Sequence, residues 1–290
     1  MFGLKFLKFR SSFIFLQTFV LSQAALAGMK FNNRPILISL AGFNTCDGHP
    51  NGKKIKVKIE PTLQRFASRL SELGLGETKI LRGCFRNSLN SGASYFFEGL
   101  NSQYTEVAIG DFWENPEEQK WELLKLTHKL SQMLEKQISD NPGSPIFVSG
   151  FSQGGWLASQ MISKTAFLGL KVHGLLTLDP ISPLECTPRV YLKNFGDVAP
   201  GCQHHPSDWD HGFSNDLLWA TSHSWIHFYQ TDFSLLHSSP VQALIDNRQS
   251  FKLSFERSFN IKPEHIRMDD EPRAWNYFAD QSVLTIQESR

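Results

Sequence analysis

The sequence predicts an α/β fold with a mostly parallel central sheet covered by helices on both faces. Two observations support this. Short apolar runs of strand length alternate with longer segments of helical periodicity along residues 35–279. The run Ile146–Ser149 also passes through a Gly-rich turn directly into a segment that is compatible with a helix. Residues 28–290 suit one domain without internal repeats.

Residues 1–27 have the pattern of a cleavable signal peptide. Lys5, Lys8 and Arg10 precede the largely apolar stretch Ser12–Leu21, and Ala25–Ala27 is an A-x-A cleavage site. We therefore expect export through cleavage after Ala27, to the periplasm or the extracellular space. The rest of the chain carries 26 basic and 28 acidic side chains, a balance that gives no electrostatic basis for nucleic-acid binding.

The predicted elements follow from apolar runs and periodicity, with Gly and Pro as boundaries. Before the Gly-rich turn we predict the strand Pro35–Leu40, the helix Pro61–Leu73, the strand Thr78–Leu81, a Ser- and Asn-rich loop Asn87–Asn101, the strand Glu106–Ile109 and the helix Pro116–Ile138. After it we predict the helix Trp156–Phe167, the strand Val172–Leu178, the irregular segment Ile181–Thr221, the strand Trp225–Tyr229, the helix Pro240–Asp246, the strand Phe251–Phe259 and the helix Glu271–Ala279.

The turn after Ile146–Ser149 carries the pentad Gly150-Phe151-Ser152-Gln153-Gly154. A serine held at a sharp turn between a strand and a helix has a strained backbone, and side chains two positions before and after it would collide. Gly150 and Gly154 remove those collisions. The pattern therefore predicts that Ser152 is a nucleophile exposed at the N-terminus of a helix.

A serine nucleophile needs a histidine that takes its proton and a carboxylate that orients this histidine. In an α/β sheet these groups come from loops at the C-terminal ends of strands. His265 lies between the last predicted strand and the last helix, and it is the predicted base. His237, in the loop after the preceding strand, is the alternative.

Two aspartates compete for the role of the acid. Asp179 directly follows an apolar strand and precedes Pro180, which would fix the turn that aims its side chain, so it is the predicted acid. Asp232, after the strand Trp225–Tyr229, is the alternative, and Asp197 is a third candidate. The oxyanion hole needs two backbone N–H groups, which we expect from Gln153 and from Phe43 in the loop after the first strand.

All four cysteines follow the predicted signal peptide, and an even count in an oxidising compartment indicates two disulfides. Cys186–Cys202 closes a short loop and is the preferred pair. Cys46–Cys84 would then tie the ends of the first two core strands. The sequence allows three pairings of these four residues.

The hexapeptide Gly150–Gly155, with Asp179 and His265 in that order, resembles the α/β-hydrolase superfamily over nearly all of residues 35–279. The resemblance implies acyl transfer by a Ser–His–acid triad without a cofactor. Asp179 follows the first strand after the helix of the nucleophile, which is similar to the lipase arrangement. In thioesterases the acid follows the strand after that one, which would favour Asp232. Ala41 departs from lipases that have a His-Gly pair in the oxyanion loop.

The segment 181–221 falls where this superfamily often carries a lid or cap, which the Cys186–Cys202 disulfide would pin. Its aromatic residues favour a lipid or other ester substrate. The cluster His204–His211 matches no standard metal spacing, so no metal is expected. The basic strip Lys53–Lys58 is typical of an edge strand whose lysines prevent pairing with another chain. A transient contact with anionic lipid is the alternative.

The favoured hypothesis is therefore a monomeric, exported serine esterase or lipase with a small-molecule ester substrate. Four alternatives stay open at this point: an acyl thioesterase of the same fold, a catalytically silent binding protein, a metal-dependent hydrolase that uses His204–His211, and a peptidase.

Overall fold

The computed structural model describes residues 34–42, 45–47, 56–57, 60–88, 92–98, 104–110, 116–166, 170–180, 221–229, 255–260 and 271–288. The described strands are β1 (Ile36–Leu40), β2 (Cys46–Asp47), β3 (Lys56–Val57), β4 (Lys79–Ser88), β5 (Gly92–Glu98), β6 (Tyr104–Gly110), β7 (Ile146–Phe151), β8 (Val172–Leu178), β9 (Thr221–Tyr229) and β10 (Phe255–Asn260). The described helices are α1 (Glu60–Glu72), α2 (Pro116–Asp140), α3 (Gln153–Ala166) and α4 (Pro272–Glu288).

An eight-stranded sheet with the order β10-β9-β8-β7-β1-β4-β5-β6 forms the centre of the fold. All pairs from β10 to β4 are parallel, and β5 pairs antiparallel with both of its neighbours. The central strands β1 and β7 are buried along their whole length, as expected for a parallel sheet that is covered on both faces. The predicted α/β class with a mostly parallel sheet is thus confirmed.

Helices cover both faces of the sheet, and each face has its own apolar core. Helix α3 packs on β1, β7 and β8 and against α2, whereas α4 packs on β8 and β9 and against α1. Successive residues of a strand point to opposite faces, so Val148 lies in the core under α2 and α3, and Phe147 lies in the core under α1 and α4. Phe66 of α1 stacks on Phe278 of α4, with ring centroids 5.1 Å apart.

The predicted loop Asn87–Asn101 is wrong, because much of it forms β5. The Ser, Asn and Gly residues lie mainly at its ends, and between them Ala93, Tyr95 and Phe97 alternate toward one core. An antiparallel meander β4-β5-β6 therefore replaces the expected alternation of strands and helices here. Strand β4 is longer than predicted, Thr221 begins β9, α3 begins at Gln153, and α4 extends beyond Ala279 to Glu288.

The predicted pair Cys46–Cys84 is confirmed as a disulfide, with the two Cα atoms 5.3 Å apart. Cys84 lies inside β4 and not at a strand end, and Cys46 belongs to the short strand β2. Cys186 and Cys202 lie outside the described residues, as do the predicted signal peptide, the segment 181–220 and the predicted helix Pro240–Asp246. No helix in the described part of the chain is long and apolar enough to cross a membrane.

Candidate active site

The pentad Gly150–Gly154 forms a sharp turn between β7 and α3, with Ser152 at its apex. Ser152 has a φ of 53°, a left-handed conformation that non-glycine residues rarely adopt. A Cβ on Gly150 would lie 2.7 Å from the carbonyl carbon of Gly154, and a Cβ on Gly154 would lie 2.7 Å from the carbonyl oxygen of Ala41. The two glycines therefore allow the turn for the steric reason that the sequence predicts.

Hydrogen bonds fix the backbone of Ser152 on both sides. Its N–H donates to the carbonyl oxygen of Leu178 at the end of β8 (N···O 3.0 Å). Its carbonyl oxygen accepts from the N–H groups of Gly155 and Trp156, at 2.9 and 3.3 Å, and so begins α3. The side chain therefore sits at the positive end of a helix dipole, which favours negative charge near the hydroxyl.

Asp179 lies next to this turn, directly after β8. It has a φ of 40° and is fully buried, and its N–H donates to the carbonyl oxygen of Phe228 in β9 over 2.7 Å. Among the described residues, Ser152 and Asp179 are the two non-glycine residues with positive φ. Such conformations persist where the surrounding structure enforces them, and they cluster at functional sites.

Gly42, two residues after β1, also lies at the turn of Ser152. A Cβ on Gly42 would lie 2.7 Å from Cβ of Ser152, so the backbone at Gly42 contacts the turn at Ser152. Gln153 is the first residue of α3, and its Oε1 atom is buried without a hydrogen-bond partner among the described residues. The structure thus brings together Ser152, Gln153, Gly42 and Asp179.

Several predicted site residues lie outside the described residues, namely Phe43, His265, His237, Asp232 and Asp197. The cluster His204–His211 lies outside them as well. Within the described part of the chain, no group of three or more His, Cys, Asp or Glu side chains could hold a metal ion.

One buried polar group at this edge of the sheet was not predicted from the sequence. Nδ1 of His227 in β9 lies 2.8 Å from Oγ1 of Thr177 in β8, and Nε1 of Trp225 donates to the same hydroxyl over 3.1 Å. All three side chains are fully buried. Thr177 lies two residues before Asp179, so these hydrogen bonds between β8 and β9 support the end of β8 that leads to Asp179.

A mostly parallel sheet, a strand–serine–helix elbow and an aspartate at the neighbouring strand end together define an α/β-hydrolase-type fold. The chain is similar to Est1E from Butyrivibrio proteoclasticus, with 11% identity, 88% of this chain and 90% of that chain covered, and a TM-score of 0.41. For dienelactone hydrolase from Anabaena variabilis the identity is 11%, the coverages are 90% and 88%, and the TM-score is 0.42. For esterase Pf2001 from Pyrococcus furiosus the identity is 13%, the match covers 87% of this chain and 82% of that chain, and the TM-score is 0.45.

No family model matches the sequence. No curated protein matches it either.

Proposed function

We propose that this protein is an exported serine hydrolase that cleaves carboxylic esters through an acyl-enzyme intermediate. The observation that carries the proposal is the pair of left-handed residues Ser152 and Asp179 at adjacent strand ends, linked through the carbonyl of Leu178. A strained strand-to-helix turn is the conformation that exposes a serine nucleophile in this kind of fold, and left-handed residues such as Asp179 cluster at functional sites.

In the proposed reaction, Oγ of Ser152 attacks the carbonyl carbon of the ester while its proton passes to His265. The tetrahedral intermediate then expels the alcohol, which takes the proton from His265, and an acyl group remains on Ser152. Water attacks this acyl-enzyme with His265 again as the base, and the acid and free Ser152 are released. Asp179 holds the imidazole in the required tautomer and stabilises its protonated form.

The negative charge on the tetrahedral oxygen needs preorganised donors. We assign this role to the N–H group of Gln153 and to that of Phe43. Two observations support the assignment: Gln153 is the first residue of α3, and the backbone at Gly42, next to Phe43, contacts Ser152. The N-terminus of α3 adds a favourable electrostatic field at the same point.

For the substrate we propose a lipid or other acyl ester, because the segment 181–221 is rich in aromatic and aliphatic residues. The test is hydrolysis of p-nitrophenyl esters from acetate to palmitate, with and without a chelator. We expect turnover that resists chelation and a preference for longer chains. Turnover that a chelator abolishes would favour a metal-dependent hydrolase, and faster cleavage of acyl thioesters would favour a thioesterase.

Export is part of the proposal and rests on the N-terminal pattern. N-terminal sequencing of the protein after expression of the full chain in a secreting host should give Gly28 as the first residue. A product that retains Met1 and stays inside the cell would contradict export.

A further inference from the structure

Gly42, in the segment 41–45 between β1 and β2, lies against the turn at Ser152. A Cβ on Gly42 would lie 2.7 Å from Cβ of Ser152 and 3.0 Å from the carbonyl oxygen of Phe151. The backbone here is therefore in direct contact with the residues that carry the proposed chemistry. A small displacement of this segment would change the surroundings of Ser152.

Both ends of this segment are hydrogen-bonded to β4. The N–H of Ala41 donates to the carbonyl oxygen of Gly83 over 2.8 Å, and the N–H of Thr45 donates to that of Phe85 over 3.0 Å. The hydroxyl of Thr45 also donates to the carbonyl oxygen of Gly42. The two backbone hydrogen bonds tie Ala41 and Thr45, the ends of the segment, to neighbouring residues of β4.

The Cys46–Cys84 disulfide adds a covalent bond to β4 next to these hydrogen bonds. Cys84 lies between the two acceptors on β4 and is fully buried, and Cys46 directly follows Thr45. Strand β2, which begins at Cys46, pairs antiparallel with β3 in a separate two-stranded sheet and is not part of the eight-stranded sheet. The disulfide is therefore the covalent link between the far end of the segment and the central sheet.

We propose that the Cys46–Cys84 disulfide holds the backbone at Gly42 against Ser152, so that its loss impairs transition-state stabilisation and not only folding. This inference rests on the proposed serine-hydrolase function. Oxyanion donors act through fixed geometry, so a loop that can shift by a fraction of an ångström stabilises the tetrahedral oxygen less. Substrate binding in the ground state depends much less on this geometry.

The test compares wild type with the double variant Cys46→Ala/Cys84→Ala. For each protein we would measure kcat and KM for p-nitrophenyl acetate and the rate of labelling by a fluorophosphonate, well below the melting temperature. Leu134→Ala is the matched stability control, because Leu134 is fully buried in the core under α2 and α3, on the opposite face of the sheet from the disulfide. Cys186→Ala/Cys202→Ala controls for the other two cysteines.

We expect kcat and the labelling rate of Cys46→Ala/Cys84→Ala to fall about tenfold or more, with KM within about twofold of wild type. Leu134→Ala should lower the melting temperature and leave both rates unchanged. Unchanged rates in Cys46→Ala/Cys84→Ala would overturn the inference and leave the proposed function standing. Failure of the fluorophosphonate to label wild type would overturn both.

If the double variant does not fold, the bond can be broken in folded protein. A phosphine reductant is added to Cys186→Ala/Cys202→Ala, and the thiols formed are counted while activity is followed. Activity should fall as two thiols appear and should return on reoxidation. Two thiols with full activity would refute the positioning role.

Discussion

The backbone N–H of Ser152 donates to the carbonyl oxygen of Leu178 over 3.0 Å, which joins the turn at Ser152 to the end of β8, directly before Asp179. Asp179 in turn donates its N–H to Phe228 of the next strand. The elbow, the acid turn and β9 are therefore connected through the backbone, and the proposed nucleophile and acid cannot shift independently.

The first prediction concerns the identity of the acid. Asp179→Asn should lower kcat for p-nitrophenyl acetate by about 10³- to 10⁴-fold, because the amide favours the wrong histidine tautomer and does not stabilise the imidazolium. Asp232→Asn is the matched comparison and should stay within about threefold of wild type, an estimate for a carboxylate outside the triad. The reverse pattern would assign the acid to Asp232, as in thioesterases.

The second prediction concerns Gly155, the residue after the pentad. A Cβ at this position would lie 2.7 Å from Cβ of Pro180 and 3.0 Å from its Cα, so Gly155→Ala must displace the turn that holds Asp179. We expect kcat to fall about 10- to 100-fold with little change in KM, because the acid loses its alignment.

A control for Gly155→Ala is Gly76→Ala. Gly76 has a φ of 79° and open space around its Cα, so alanine there strains the backbone without touching the site. It should lower the melting temperature and leave kcat unchanged. A Gly155→Ala enzyme with wild-type kcat would show that the contact with Pro180 does not position the acid.

The third prediction concerns the start of α4, six residues after His265. Oε1 of Glu271 accepts from the backbone N–H of Arg273 (3.1 Å) and from its Nε (2.6 Å). These hydrogen bonds to Arg273 lower the pKa of Glu271. A lowered pKa means that the stabilisation is complete above the unfolded-state pKa, near 4.5, and is lost as the pH falls through the folded value.

Glu271→Gln should therefore lower stability by about 1 kcal/mol at pH 7, and the difference should shrink toward pH 3. Thermal unfolding of both proteins between pH 3 and pH 7 measures this difference. In an Arg273→Gln background the pH dependence should be weaker, because the partner of the carboxylate is gone. A difference that is the same at every pH would argue against the ionised cap.

The sharp turn at Ser152 and the place of Asp179 directly after β8 could be predicted because their constraints are local. Glycines two positions on either side of Ser152 and an aspartate directly after an apolar strand are visible in a few residues of sequence. The strand β5 could not be predicted in this way, because its Gly- and Ser-rich ends have the composition of turns, and its partners β4 and β6 decide its conformation.

The buried pair Thr177 and His227 could not be predicted either. The two residues are 50 positions apart and meet through the register of β8 and β9, which local periodicity does not encode. His227 is two positions after Trp225 and therefore lies on the same face of β9. A histidine on the buried face of a strand needs a polar partner, and this was the one indication that the sequence offered. The disulfide Cys46–Cys84 could be predicted because four cysteines allow three pairings, and the preferred pair Cys186–Cys202 leaves these two.

Covalent labelling of the reactive serine shows whether Ser152 is the nucleophile. The protein is incubated with a fluorophosphonate and digested, and the modified residue is located by mass spectrometry. Ser149→Ala is the matched control, since this buried serine of β7, three positions before Ser152, has no hydrogen-bond partner for its hydroxyl among the described residues. We expect one phosphonyl group on Ser152 in wild type and in Ser149→Ala, and none in Ser152→Ala. Labelling that persists in Ser152→Ala, or a wild-type protein that is not labelled, would contradict this expectation.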